Sequence, residues 1–234
     1  CVLNYDDKVL REFGKTIKNP VYFSRKEKPS KGAYLDGRII RYFDGKDDYE
    51  VMSVDDMHLF GNHNYENVMA AIAMTIEAGV PLNIIINVIK DFMGVEHRIE
   101  YVRDKNGVRY YNDSKGTNPD SSIKALEAMS RPTILIAGGY DKHSEFDEFI
   151  EAFDNKVKLM VLLGQTADKI EETAVRHGFT NIIKTDSLEK AVKICAENAV
   201  SGDVVLLSPA CASWGMFKNY EERGKLFKEY VNSL

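Results

Sequence analysis

The stretch Tyr110-Tyr111-Asn112-Asp113-Ser114-Lys115-Gly116-Thr117-Asn118-Pro119 brings an acid, a lysine, hydroxyls and a glycine onto one short loop. A β-type run, Gly107 to Tyr111, leads into it, and Pro119 is suited to open a helix. A strand-to-helix loop is a favoured place for ligand groups, because helix-terminal N–H groups point outward there and the scaffold holds them still. Asp113 can accept hydrogen bonds from ribose hydroxyls. Lys115 can hold a phosphate or a carboxylate. Gly116 lets a ligand come close to the backbone, and Thr117 can donate a hydrogen bond. The simpler reading is a helix cap supplied by Asp113, Ser114 or Thr117. Two further polar loops count against it. Gly138-Gly139-Tyr140-Asp141-Lys142 and Ser208-Pro209-Ala210-Cys211-Ala212-Ser213-Trp214 both follow apolar strand-like runs.

Other polar groups stand apart from these loops. Asn64 and Asn67 are three residues apart at the start of a helical pattern, so they share a face of its first turn. Side-chain amides paired in this way can read the edge of a heterocycle, each offering a donor and an acceptor; an N-cap with a solvated asparagine is the alternative. Arg98 lies in Gly94-Val95-Glu96-His97-Arg98, where the composition changes character, and a hinge arginine can reach a phosphate. Gly14-Lys15-Thr16 imitates the end of a phosphate loop. That loop needs a glycine five positions before Gly14, where Val9 stands, and a strand rather than a helix in front of it.

Positioning these groups requires a regular scaffold. From Gly94 onward, strand-like runs (Ile99–Arg103, Thr133–Ala137, Val157–Leu163, Ile182–Lys184, Asp203–Leu207) alternate with helical ones (Glu145–Phe153, Ala167–His177, Leu188–Ala199, Phe217–Val231). That alternation predicts an α/β fold with a mostly parallel sheet. Ligands of such sheets bind beyond the carboxyl ends of the strands, which would gather Lys115, Thr117, Lys142 and Ser213 around one opening. No G-x-G-x-x-G follows any strand, which disfavours a dinucleotide. Before Gly94, a helix over Lys8–Thr16 should turn Val9, Leu10 and Phe13 to one face. Strands are expected at Val21–Ser24, Ala33–Asp36, Arg38–Tyr42 and Tyr49–Ser53, with a hairpin turn at Asp36-Gly37. Helices should follow, one lined by Val68, Ala71, Ile72 and Ile76 and one over Leu82–Phe92.

Composition narrows the class. Hydrophobic residues make up 44% of 234 and charged ones 29%, an ordinary globular balance. A net charge of −5 without a basic block gives no sign of nucleic acid. No apolar run reaches membrane-spanning length and no leader pattern opens the chain. The cysteines Cys1, Cys195 and Cys211 show no paired spacing, which predicts no disulfide or zinc site and a reducing, cytoplasmic setting. Opening on Cys1-Val2-Leu3 without an initiator methionine reads as a piece of a longer chain.

Taken in order, Gly61–Asn67, His97-Arg98-Ile99-Glu100, Asn112–Asn118, Gly138–Lys142, Ser208–Trp214 and Phe217-Lys218-Asn219-Tyr220-Glu221-Glu222-Arg223-Gly224 resemble the C-terminal half of a Mur ligase. The resemblance is closest to the members that add D-glutamate. The Asp-Asn-Pro-Arg signature of sister ligases for a dibasic residue is absent. The resemblance implies the tail of an α/β central ATPase domain over 1–93 and a Rossmann-like amino-acid-binding domain over 94–234. It implies ATP and Mg2+ as cofactors, with UDP-N-acetylmuramoyl-L-alanine and D-glutamate as the other reactants. An acyl phosphate forms and the amine of D-glutamate attacks it. By motif position, Asn64 and Asn67 face the adenine, Arg98 the ATP phosphates and Asp113 the ribose. Lys115 sits near the reacting phosphate and carboxylate, which makes it and Arg98 the catalytic candidates. Thr117 and Lys142 take the α-carboxylate of D-glutamate. Ser213, with Trp214 and the backbone around Tyr220, takes its side-chain carboxylate. The phosphate loop, the metal ligands and the uridine-binding domain are expected upstream of Cys1. The implied enzyme is a cytoplasmic monomer. His143 stands where the family usually has glycine, and Gly215 where it usually has an acid. Another amide ligase of the superfamily, such as a folylpolyglutamate synthetase, and a non-catalytic binding module are the alternatives.

Overall fold

A computed structural model describes residues 1–234, which divide into two compact units, Cys1–Gly94 and Val95–Leu234. In the first unit, short β-branched and aromatic runs form β1 (Val2–Asn4), β2 (Val21–Ser24), β3 (Gly32–Asp36), β4 (Ile39–Phe43) and β5 (Asp48–Ser53). They lie side by side in chain order. The first three strands are parallel and the last two pair antiparallel. The hairpin turn at Asp36-Gly37 is present, with Gly37 in the left-handed region at φ 60°.

The helix α1 (Lys8–Gly14) forms, but its expected apolar face does not become core. Val9 is 76% exposed and Phe13 54%, while the inward position is Gly14, pressed against Tyr22. Gly14-Lys15-Thr16 is thus a helix C-terminus, with Lys15 paired to Glu12, and not a phosphate cradle. On α2 (Asn62–Glu77) the buried face is Val68, Met69, Ile72 and Ala73, packed with Val21, Ile40 and Tyr42 of the sheet. Ala71, expected on that face, is exposed. The next helix, α3 (Leu82–Asp91), buries Ile85.

The second unit carries the loops of interest. Its strands are β6 (Glu100–Lys105), β7 (Val108–Asn112), β8 (Thr133–Ala137), β9 (Val157–Leu162), β10 (Ile182–Lys184) and β11 (Val204–Leu207), in spatial order β10-β9-β8-β11-β7-β6. All neighbours are parallel except β6, which pairs antiparallel with β7. Asn106 and Gly107, both at positive φ, make the tight turn between them. The helices are α4 (Pro119–Ala128), α5 (Asp147–Glu151), α6 (Ala167–Arg176), α7 (Leu188–Asn198) and α8 (Tyr220–Ser233). Near-continuous apolar strands mark a sheet buried on both faces. Ile134, Ile136, Val161 and Val205 pack with Val192, Phe227 and Val231 of the helices. Two helices begin later than the sequence pattern predicts. α5 spans only Asp147–Glu151. α8 begins at Tyr220 because Asn219 caps it, its side chain accepting the Glu222 N–H.

Candidate functional site

Register decides what the loops share. Leu207 at the end of β11 lies level with Asn112 on β7 and Ile136 on β8. The loops after β7, β8 and β11 therefore leave the sheet side by side, with β11 in the middle. Direct bonds join them. Asp113 N–H donates to Leu207 O at 2.7 Å, and Gly138 N–H to Pro209 O at 2.8 Å. Tyr140 N–H donates to Ala212 O at 2.9 Å, closing an isolated bridge. Gly139 permits this approach: a Cβ there would lie 2.3 Å from Ala212 O. The three polar loops of the sequence form one cluster at the carboxyl end of the sheet, and Lys115, Thr117, Lys142 and Ser213 stand on its adjoining loops.

Asp113 is the loop's acid, and its carboxylate is turned inward. It is 4% exposed, accepts the Ile99 N–H at 3.2 Å on Oδ1 and the Ser208 hydroxyl at 2.7 Å on Oδ2. Burial pushes its pKa up to about 7, opposed by the Ser208 and Ile99 bonds and by Arg98 and Arg223. Gly116 makes room for it, since a Cβ there would lie 2.4 Å from Oδ2. A contact from Asp113 to a ribose hydroxyl would require its carboxylate to release Ile99 or Ser208. Ser208 also bonds Ser122 Oγ at 2.8 Å, and Ser122 Oγ accepts the Ala210 N–H at 3.0 Å. Ala210 is held in the left-handed region at φ 57°, a strained conformation of the kind that gathers at ligand sites.

The lysines of the cluster are less buried than Asp113. Lys115 Nζ donates to Tyr220 Oη at 3.1 Å and lies 4.8 Å from the centre of that ring. Lys142, exposed, lies 4.9 Å from the Trp214 ring centre. Thr117 is half-buried and Ser213 buried. His143 occupies a left-handed position at φ 62°, where glycine would rest without strain, and Gly215 takes φ 82°.

Arg98 is exposed on the segment leading into β6, between His97 at φ 67° and Ile99 at φ 45°. Buried neighbours clamp this segment. Asn112 Oδ1 accepts the Ser114 N–H, which turns its Nδ2 toward His97 Nδ1 at 2.9 Å and Glu100 Oε2 at 3.0 Å. That contact assigns the His97 proton to Nε2, and burial lowers the His97 pKa against the pull of Glu96 and Glu100. His97 O in turn accepts the Lys115 N–H at 3.0 Å. Glu96, His97 and Glu100 have metal-ligand chemistry, with ligand atoms within 4.8 Å of one another. The Lys228 ammonium already sits 2.7 Å from Glu96 and 2.9 Å from Glu100, so the cluster carries its own cation.

Arg223 was not assigned a role by the sequence reading. It is 2% exposed and donates to Ser114 Oγ at 2.9 Å, Ser114 O at 2.7 Å and Cys211 O at 3.1 Å. Burial lowers its pKa to about 10, and it ties the β7 and β11 loops to α8. Its signal was available: Arg223, Phe227 and Val231 recur every fourth residue, a charge on an apolar stripe. In the first unit, Asn64 and Asn67 lie on the first turns of α2. Asn67 is exposed, and Asn64 Nδ2 donates to Phe60 O at 2.8 Å.

Residues 97–211 match the family described as Mur ligase, glutamate ligase domain. The whole chain aligns, at 63% identity, with 52% of a protein named UDP-N-acetylmuramoylalanine--D-glutamate ligase from Lachnospira eligens. The chain is similar to the C-terminal half of a Mur ligase. Proteins of the same name from Lachnoclostridium phytofermentans and Clostridioides difficile are 53% and 49% identical over the whole chain. The chain spans about half the length of these relatives, 52% in each case. The Mur ligase fold extends to distant structures. A pseudomurein peptide ligase type C from Methanothermus fervidus superposes with a TM-score of 0.73 at 16% identity, over 99% of this chain and 56% of that one. UDP-N-acetylmuramate-alanine ligase MurC from Thermotoga maritima superposes with a TM-score of 0.68 at 16% identity, over 99% of this chain and 51% of that one.

Proposed function

We propose that the chain is part of an ATP-dependent amide ligase that joins D-glutamate to UDP-N-acetylmuramoyl-L-alanine in peptidoglycan synthesis. The observation that carries this reading is the cluster of adjoining loops at the carboxyl ends of β7, β8 and β11, which carry Lys115, Thr117, Lys142 and Ser213. A doubly anionic amino acid needs cationic and N–H donors at both ends. Thr117 and Lys142 take its α-carboxylate; Ser213 and the backbone at Tyr220 take the side-chain carboxylate, with Trp214 beside Lys142 at the edge of the pocket. Lys115 acts where negative charge develops, on the acyl phosphate and then on the tetrahedral intermediate. Arg98 takes the ATP phosphates, Asn64 and Asn67 the adenine, and Asp113 the ribose once its carboxylate is freed. On this reading residues 1–93 end an ATP-binding domain and residues 94–234 bind the amino acid.

ATP supplies the phosphoryl group that activates the acceptor carboxylate. Magnesium would neutralise the phosphate charge, and no group of this chain is assigned to it, since Lys228 already serves the Glu96–His97–Glu100 cluster. The reading implies a cytoplasmic monomer; no helix is long and apolar enough to cross a membrane. The test is phosphate release by a full-length ligase carrying this sequence. Release should require both UDP-N-acetylmuramoyl-L-alanine and D-glutamate. Turnover with a folate and L-glutamate instead would move the chain to another amide ligase, and no turnover with any amino acid would leave a binding module.

A further inference from the structure

Both lysines of the loop cluster rest on aromatic rings contributed by the segment after β11. Lys142 lies over Trp214, and Lys115 sits at the hydroxyl edge of Tyr220, bonded to Oη at 3.1 Å and 4.8 Å from the ring centre. Neither ammonium is paired with a carboxylate. Lys158, Lys169 and Lys184, at other places in the same unit, all are.

Each ring has a ring neighbour of its own. Trp214 meets Tyr140 edge-on, with ring centres 5.5 Å apart, and Tyr140 is pinned through its backbone to Ala212. Tyr220 is the first residue of α8. Its carbonyl accepts the Ser114 hydroxyl at 2.8 Å, and its ring meets the buried His97 edge-on at 6.1 Å.

The difference between a ring and a carboxylate matters for an anion site. A carboxylate would hold each lysine and cancel its charge, and a substrate would have to break that pair. An aromatic face holds an ammonium through its quadrupole, by about 0.5–1 kcal/mol at an exposed site, and leaves the full charge available. It also narrows the freedom of a side chain that otherwise carries roughly 2 kcal/mol of rotamer entropy, part of which is lost on binding.

We propose that Trp214 and Tyr220 are positioning residues that hold Lys142 and Lys115 as two oriented, uncompensated cations for the anionic groups of the reactants. This deepens the ligase reading and rests on it. Trp214 therefore acts through Lys142 on capture of the amino acid, and Tyr220 acts through Lys115 on turnover.

The experiment is a pair of double-mutant cycles in a full-length ligase carrying this sequence, with D-glutamate varied. Trp214→Leu should raise KM for D-glutamate about two- to fivefold with kcat kept, the equivalent of a lost exposed cation–π contact. Trp214→Phe should restore most of the loss. In a Lys142→Met background, Trp214→Leu should add nothing. Tyr220→Leu should lower kcat and add nothing in a Lys115→Met background, with Tyr220→Phe intermediate because it keeps the ring and loses the hydroxyl. Effects that multiply in both cycles, or an unchanged KM in Trp214→Leu, overturn the proposal while leaving the ligase reading intact. Absence of any saturable dependence on D-glutamate in the unsubstituted enzyme overturns both. Trp214 is 53% exposed, so its substitution leaves the core untouched, and a thermal melt of each variant verifies it.

Discussion

At the scale of the residue, Asp113 shows how a side chain can carry ligand chemistry in the sequence and brace a loop in the fold. Its folded pKa of about 7 lies above the ordinary carboxyl value of 3.8. The folded state therefore binds its proton more tightly than the unfolded state. The stability it contributes is complete below the unfolded pKa and is lost as pH rises through about 7. Asp113→Asn imitates the protonated form, with an oxygen for the Ile99 N–H and a donor for Ser208. Its melting temperature, relative to the parent, should rise between about pH 6 and about pH 8. A difference that stays flat over that range would mean that the folded carboxyl group does not titrate there. Asp113→Ala should cost about 1–3 kcal/mol, because it leaves buried groups unpaired. The position of Lys115, Thr117, Lys142 and Ser213 on loops at strand ends was legible because those loops follow strand-like runs. Asp113's inward turn and the Ser122–Ser208 bond were not, since a buried serine and a solvated one look alike until its neighbours are known.

At the scale of the element, α8 closes against the segment that carries Arg98. A Cβ on Gly224 would stand 2.3 Å from His97 Nδ1, and His97 is held in place by Asn112. Gly224→Ala should lower the melting temperature even though alanine favours a helix by about 1 kcal/mol, because overpacking a fixed neighbour costs about 1–3 kcal/mol. An unchanged or higher melting temperature would show that His97 yields freely. The alternation of strands and helices was readable because apolar strands and amphipathic helices differ in period. The antiparallel pairing of β6 had a signal in Asn106-Gly107 that the strand boundaries obscured. The insertion of β11 between β7 and β8 had none, because strand order is set by tertiary packing and leaves no local mark. The stripe on α1 misled for a related reason: periodicity gives a face but does not say what covers it.

At the scale of the whole molecule, Val95–Leu234 has its own sheet, helices and core. Expressed alone it should unfold in one cooperative transition, since roughly 140 residues suffice for a core; a broad, non-cooperative melt would contradict this. The 234-residue chain by itself should release no phosphate from ATP, as it contains no phosphate-loop motif, and measurable release would overturn the assignment of phosphoryl chemistry to a longer protein. The central claim is that the β7, β8 and β11 loops form the amino-acid pocket. Steady-state kinetics of Lys142→Ala and Lys115→Ala in a full-length ligase, with D-glutamate varied and a thermal melt for each, tests it most directly. Lys142→Ala should weaken D-glutamate by on the order of 2 kcal/mol, seen mainly in KM, while Lys115→Ala should lower kcat by about 10²–10³. Variants that melt at a lower temperature yet keep the parent's KM and kcat would contradict the pocket, and would return these loops to the role of helix caps.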